Sequence, residues 1–160
     1  MRHVLSVLVE NEPGVLSRVA GLFSGRGFNI DTLNVGPTLE KGVSLMTIST
    51  HGDEQIIEQI IKQLRKLITV IKVVDLSGTK AVEREMVLIK VHATDSSRAE
   101  ILRIVDIFRC KVVDVSIDEL TMEVTGDQGK IVAIVNMLQR FGIKEFARTG
   151  TVAMKRSMQF

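Results

Sequence analysis

Residues 2–30, RHVLSVLVENEPGVLSRVAGLFSGRGFNI, carry the pattern from which the fold is read. Residues 2–9 alternate in β-branched and aliphatic side chains, the period of a strand, and Asn11-Glu12-Pro13-Gly14 breaks it. Val15, Leu16, Val19, Leu22 and Phe23 then recur at three- and four-residue spacing, which puts them on one face of a helix. Pro13 suits the helix start, and Gly25 and Gly27 supply the left-handed conformations that end helices. Strand character returns over 28–35, with a slip of apolar parity between Ile30 and Leu33 that predicts a bulge or an edge position.

Outward from that stretch, Pro37 and Gly42 bracket a turn, 43–50 reads as a third strand, and Gly52-Asp53 reads as a break followed by a helix cap. Ile56, Ile57, Ile60, Ile61 and Leu64 form the apolar stripe of a second helix, and 68–76 a fourth strand. The order β-α-β-β-α-β is that of a ferredoxin-like unit. After a polar, turn-forming linker at 77–82 the order repeats. A strand at 86–93 precedes a helix capped by Asp95, with Ile101, Leu102, Val105 and Phe108 on one side. A hairpin of 111–118 and 120–125 follows, then a helix carrying Ile131, Ile134, Val135, Leu138 and Phe141, and a last strand at 143–154.

The expected fold class is therefore α+β, two tandem ferredoxin-like (βαββαβ) sandwiches: 1–76, a linker at 77–82, and 83–160. The repeat lies in element order and not in residue identity. Each half is small, and the first strand is apolar on both parities, Val4 and Leu8 against Leu5, Val7 and Val9, which favours association with a second copy.

Composition narrows the function. The chain has 21 basic and 19 acidic residues, eight of each in 1–76 and 13 against 11 in 77–160, so no phosphate-neutralising face is expected and nucleic acid is not an expected partner. With no Trp, no Tyr and six Phe, the exposed aromatics of an RNA-binding sheet are missing. Cys110 is the single cysteine, which rules out an internal disulfide or a multi-thiolate metal site and points to the cytosol. No targeting segment or membrane span is read in the sequence.

His3, His51 and His92 stand alone without metal-ligand spacing, two on strands and His51 in a turn, so no metal site is expected. Glu83/Glu85 and Asp118/Glu119 read as solvated strand ends, and no nucleophile has an activating context, so no catalytic residue is assigned. The segment 11–30 suits a free amino acid. Backbone N–H groups near Gly14 and Val15 at a helix start are donors for a carboxylate, and Asn11 and Asn29 offer amide donors and carbonyl acceptors. Equally, both asparagines read as turn residues and Gly14 as relief of crowding.

Asn11-Glu12-Pro13-Gly14-Val15-Leu16-Ser17-Arg18-Val19, with Leu22-Phe23 and Arg26-Gly27-Phe28-Asn29-Ile30, resembles the opening of the ACT domain in acetolactate (acetohydroxyacid) synthase small subunits. The resemblance continues through Met46-Thr47-Ile48, Glu83-Arg84-Glu85, Ile107-Phe108-Arg109, Val113-Asp114-Val115, Glu123-Val124-Thr125-Gly126, Gly142-Ile143-Lys144-Glu145 and Ala147-Arg148-Thr149-Gly150.

The resemblance implies an ACT domain at 1–76 that pairs with a second copy. It implies an effector, usually valine, held at the interface by Asn11, Gly14, Val15, Asn29 and Ile30. It also implies a C-terminal domain that activates a separate large catalytic subunit. That large subunit, and not this chain, is expected to carry thiamine diphosphate, Mg and FAD and to condense pyruvate with pyruvate or 2-oxobutyrate. Leu45, where the family has Arg, and Cys110, where a small residue is usual, depart from the pattern. Two rivals remain open on sequence: an ACT-type sensor of another enzyme, and a small acyl-phosphate hydrolase on the same fold.

Overall fold

The computed structural model describes residues 1–157, and the last three positions of the expected second domain lie outside the described residues. The chain forms two compact units, Met1–Val82 with residues 151–157, and Glu83–Gly150. The first contains β1 (Arg2–Glu10), α1 (Val15–Gly25), β2 (Ile30–Pro37), β3 (Val43–His51), α2 (Glu54–Leu64) and β4 (Val70–Asp75). β5 (Ala81–His92) leads into the second, followed by α3 (Arg98–Ile107), β6 (Lys111–Val115), β7 (Glu119–Gly126), α4 (Gln128–Leu138), a 3-10 turn at Gln139–Phe141 and β8 (Ile143–Arg148). β9 (Val152–Lys155) closes the described chain.

The sheets repeat one topology. The first has the order β2-β3-β1-β4, and the second β6-β7-β5-β8. In the first, β1 is antiparallel to both β3 and β4. β2 and β6 are thus edge strands at equivalent places. The predicted bulge and edge position are both present, since the β2–β3 register shifts between Ile30 and Thr32.

Alternation decides each core. Leu5 and Val7 of β1 stand opposite Ile48 and Met46 of β3 and face the helices. Val15, Val19 and Phe23 of α1 and Ile57, Ile60, Ile61 and Leu64 of α2 close over them. Each such side chain removed from water contributes about 1.5–3 kcal/mol. In the second unit Val87, Ile89 and Val91 meet Val124, Met122 and Leu120 beneath Ile101, Ile104 and Val105 of α3 and Ile131, Ile134 and Leu138 of α4.

Several expectations need correction. The linker is shorter than 77–82, because Ala81 and Val82 already belong to β5. The strand expected over 143–154 is broken at Thr149-Gly150-Thr151, where Gly150 has φ +82°, and β9 pairs β5, with the Arg156 N–H donating to Lys80 O at 2.9 Å. The segment from Thr151 therefore groups with the first unit, whereas it was expected in a domain of 83–160. Gly25 ends α1 in ordinary helical backbone, and only Gly27, at φ +72°, takes the left-handed form. Leu16 and Leu102 share the helical spacing but are 46% and 41% exposed, at the margins of faces whose centres are other positions. His51 closes β3 instead of lying in a turn. Glu85, expected as a solvated strand end, is buried against Arg148. Among the described residues no helix is long and apolar enough to cross a membrane.

Candidate effector site

The turn after β1 is pinned by its backbone. The Glu10 N–H donates to Thr69 O at 2.8 Å and the Asn11 N–H to Gly42 O at 2.8 Å, fixing the turn against the β2–β3 hairpin. Gly14 then occupies the N-cap of α1 at φ +87°, and no side chain caps this helix. By contrast Asp53 caps α2 through the Gln55 N–H, and Asp127 caps α4 through the Lys130 N–H.

A Cβ built on Gly14 meets nothing within 4 Å. Relief of crowding is therefore not its role; the left-handed backbone is. The Val15 N–H, expected to be free, donates to Glu12 O at a long 3.4 Å. The Val15 side chain is 3% exposed in the core, so this residue presents backbone alone. The helix start is electropositive from its unpaired donors, with Asn11 exposed beside it.

Asn29 immediately precedes β2, and Ile30 opens it. Ile30 packs against the first core, while Asn29 is exposed. The Asn29 carbonyl accepts from Thr50 Oγ1 at 2.5 Å, and its Nδ2 donates to Asp31 Oδ1 at 3.4 Å. Asp31 Oδ2 is 2.5 Å from His51 Nδ1, and the Thr32 and Ser49 hydroxyls hydrogen-bond beside them. Asp31 was not singled out in the sequence, although the slip of parity around it marked the bulge that isolates it, and His51 was read there only as an isolated histidine.

One chain does not bring the five candidate residues together. Ile30 pairs with Thr50, which in turn pairs with His3 near the start of β1. Asn11 follows Glu10, the far end of β1, whose partner is Val43. Seven residues of strand separate the two ends, a span of about 23 Å. Leu45 faces away from the helices, opposite Leu8 and Gly36.

The second unit carries an open groove between α4 and β8, lined by Val132, Val135, Asn136, Gln139, Phe146 and Arg148 among others. It contains none of the expected effector residues. His3 is buried, with Nε2 within 3.2 Å of Gly52 O, and the Cys110 thiol is pushed up to about 11 by burial. Among the described residues, neither is set beside a base or an oxyanion-stabilising pair.

Comparison with known proteins matches two successive segments of the chain. Residues 5–72 match the family described as AHAS small subunit-like ACT domain, and residues 84–157 the family described as small subunit of acetolactate synthase. An acetolactate synthase small subunit of Aquifex aeolicus is 58% identical over 159 residues, covering 98% of this chain and 82% of that protein. A probable acetolactate synthase small subunit of Archaeoglobus fulgidus is 53% identical and covers 98% of both. The crystal structure of the small subunit from Thermotoga maritima superposes with a TM-score of 0.90 at 44% identity, covering 99% of each chain. Two ferredoxin-like units in tandem, the first an ACT domain, and similarity along nearly the whole length show that this chain belongs to the acetolactate synthase small-subunit family.

Proposed function

We propose that this chain binds a branched-chain amino acid, valine foremost, between two copies of its first unit and thereby sets the activity of a separate acetolactate synthase large subunit. The observation that carries the reading is that the candidate residues lie at opposite ends of a sheet whose edge strand is β2. A two-fold antiparallel pairing of β2 with its counterpart, centred on Leu33 or Asn34, sets Ile30 of one copy opposite Gly36 or Thr38 of the other. Those positions adjoin the hairpin whose Gly42 carbonyl holds Asn11. Pairing through this edge thus joins the Asn29–Ile30 end of one copy to the Asn11–Gly14–Val15 turn of the other, twice per dimer.

In such a site the α-carboxylate meets the uncapped start of α1, and the asparagine amides supply the remaining hydrogen bonds. The effector acts by binding one arrangement of the complex more tightly than another. The first unit carries dimerisation and effector binding, and the second carries activation of the large subunit. The chain makes no acetolactate by itself; thiamine diphosphate, Mg and FAD belong to the large subunit. A soluble, cytoplasmic assembly fits this role.

The test is reconstitution. Purified large subunit is assayed for acetolactate formation with and without this chain and with rising valine, isoleucine or leucine. The expected result is higher turnover and a new inhibition by one of the three. An unchanged rate and an unchanged amino-acid response on adding the chain overturn the reading.

A further inference from the structure

β2 and β6 hold the same place in two sheets of the same order, and each carries a bulge at the same end. The register skips from Ile30 to Thr32 in the first and from Val112 to Asp114 in the second. Asp31 and Val113 are thus the extra, unpaired residues of two equivalent edge strands. The bulge belongs to the fold, whereas the acid at its apex belongs to the first unit alone. Bulges re-aim a side chain away from the ladder, and here the re-aimed group is a carboxylate two residues from Asn29.

That carboxylate is held at both oxygens. His51 Nδ1 takes Oδ2 at 2.5 Å and leaves Oδ1 beside the Asn29 amide at 3.4 Å. A free amino acid brings an ammonium as well as a carboxylate, and partial burial of that ammonium is unfavourable without an anionic partner. Asn11, Gly14, Val15, Asn29 and Ile30 contain no anion; of the acids beside them, Glu12 stands exposed in the turn, whereas Asp31 is held in place by hydrogen bonds to both of its oxygens.

We propose that Asp31 is that anionic partner: its carboxylate receives the effector's α-ammonium, making the site select α-amino acids over the 2-oxo acids with the same side chains. The proposal rests on the effector reading above and extends it. It gives the site a way to ignore precursors that match the product in side chain and carboxylate and differ only at the amino group. His51 is a positioning residue, holding one oxygen so that the other faces the ligand.

The full chain is titrated calorimetrically with L-valine, L-isoleucine and L-leucine and with the three corresponding 2-oxo acids, as wild type, Asp31→Asn and Asp31→Glu. Sedimentation is followed in parallel. The expected result is amino-acid binding without oxo-acid binding by the wild type. Asp31→Asn weakens amino-acid binding by about ten- to a hundredfold, the range of a lost charge-assisted hydrogen bond, and Asp31→Glu recovers part of it. An Asp31→Asn chain that binds the amino acid as tightly as wild type overturns the proposal while leaving the effector reading intact. Stronger self-association of that variant with unchanged binding would assign Asp31 to guarding the strand edge instead. A wild type that binds none of the three amino acids overturns both.

Discussion

Arg148 Nη2 donates to Glu85 Oε1 at 3.0 Å, and the carboxylate that it meets is only 5% exposed. Glu85 lies on β5 and Arg148 ends β8, so the pair fastens one edge of the second sheet to its centre. The guanidinium also lies 5.1 Å over the Phe146 ring. Arg148→Ala removes the partner and leaves a buried anion. Because the arginine is 43% exposed, water screens part of the pair. The expected loss falls between the surface and buried regimes, about 2 kcal/mol. Urea unfolding of both forms measures it, and a midpoint equal to wild type would show that Glu85 finds other partners.

The ends of α1 and α3 share one motif. After α1, Gly27 is left-handed and the Phe28 N–H reaches Phe23 O at 2.9 Å; after α3, Arg109 is left-handed at φ +54° and the Cys110 N–H reaches Val105 O at 2.8 Å. Only the second places a Cβ-bearing residue in the disfavoured region. Arg109→Gly should stabilise the chain by about 0.5 kcal/mol, the left-handed penalty relieved less the added freedom of the unfolded chain. A lower thermal midpoint for this variant would mean that the arginine side chain contributes more than its backbone costs.

Cys110 is the residue after that turn, and burial is the chief cause of its raised thiol pKa, about 11, with Lys130 opposing weakly. Near pH 8 the thiolate fraction is then about one in a thousand, so alkylation should be slow and should rise roughly tenfold per pH unit up to about pH 11. Labelling with iodoacetamide followed by mass measurement reads this directly. Rapid modification at pH 7.5 in the folded protein would contradict the burial argument.

The sequence made the two units legible because each core uses the two elementary periods without interruption: alternation in Leu5, Val7 and Val9, and four-residue spacing in Val15, Val19 and Phe23. The parity slip near Ile30 even announced the bulge. The Glu85–Arg148 pair was not readable, since its members stand 63 residues apart and each looks like a solvated charge alone. The break at Gly150 was hidden within a run of strand-forming residues. The candidate site was named as residues but not as a place, because proximity along 11–30 conceals that a helix carries the chain back across the sheet. Asp31 escaped notice for the same reason: only the ladder shows it to be unpaired.

Gly14→Asp tests the assigned site most directly. Gly14 sits at φ +87°, so any side chain there bears a left-handed penalty of about 1 kcal/mol, with Asp among the better tolerated residues. Space is not the obstacle, for nothing lies within 4 Å of the added Cβ. The new carboxylate at the start of α1 returns about 0.3–1 kcal/mol through the helix dipole, so the two effects nearly cancel and the fold should survive. Binding should not. The substituted carboxylate competes for the donors proposed for the ligand's carboxylate and repels it, while the contacts of the second unit are untouched. In the reconstituted synthase the variant should raise turnover as wild type does and lose most of its response to branched-chain amino acid. A well-folded Gly14→Asp chain, verified by its unfolding midpoint, that still confers wild-type inhibition would place the amino acid elsewhere, and the turn at Asn11–Val15 would then be a structural joint between β1 and α1 and nothing more.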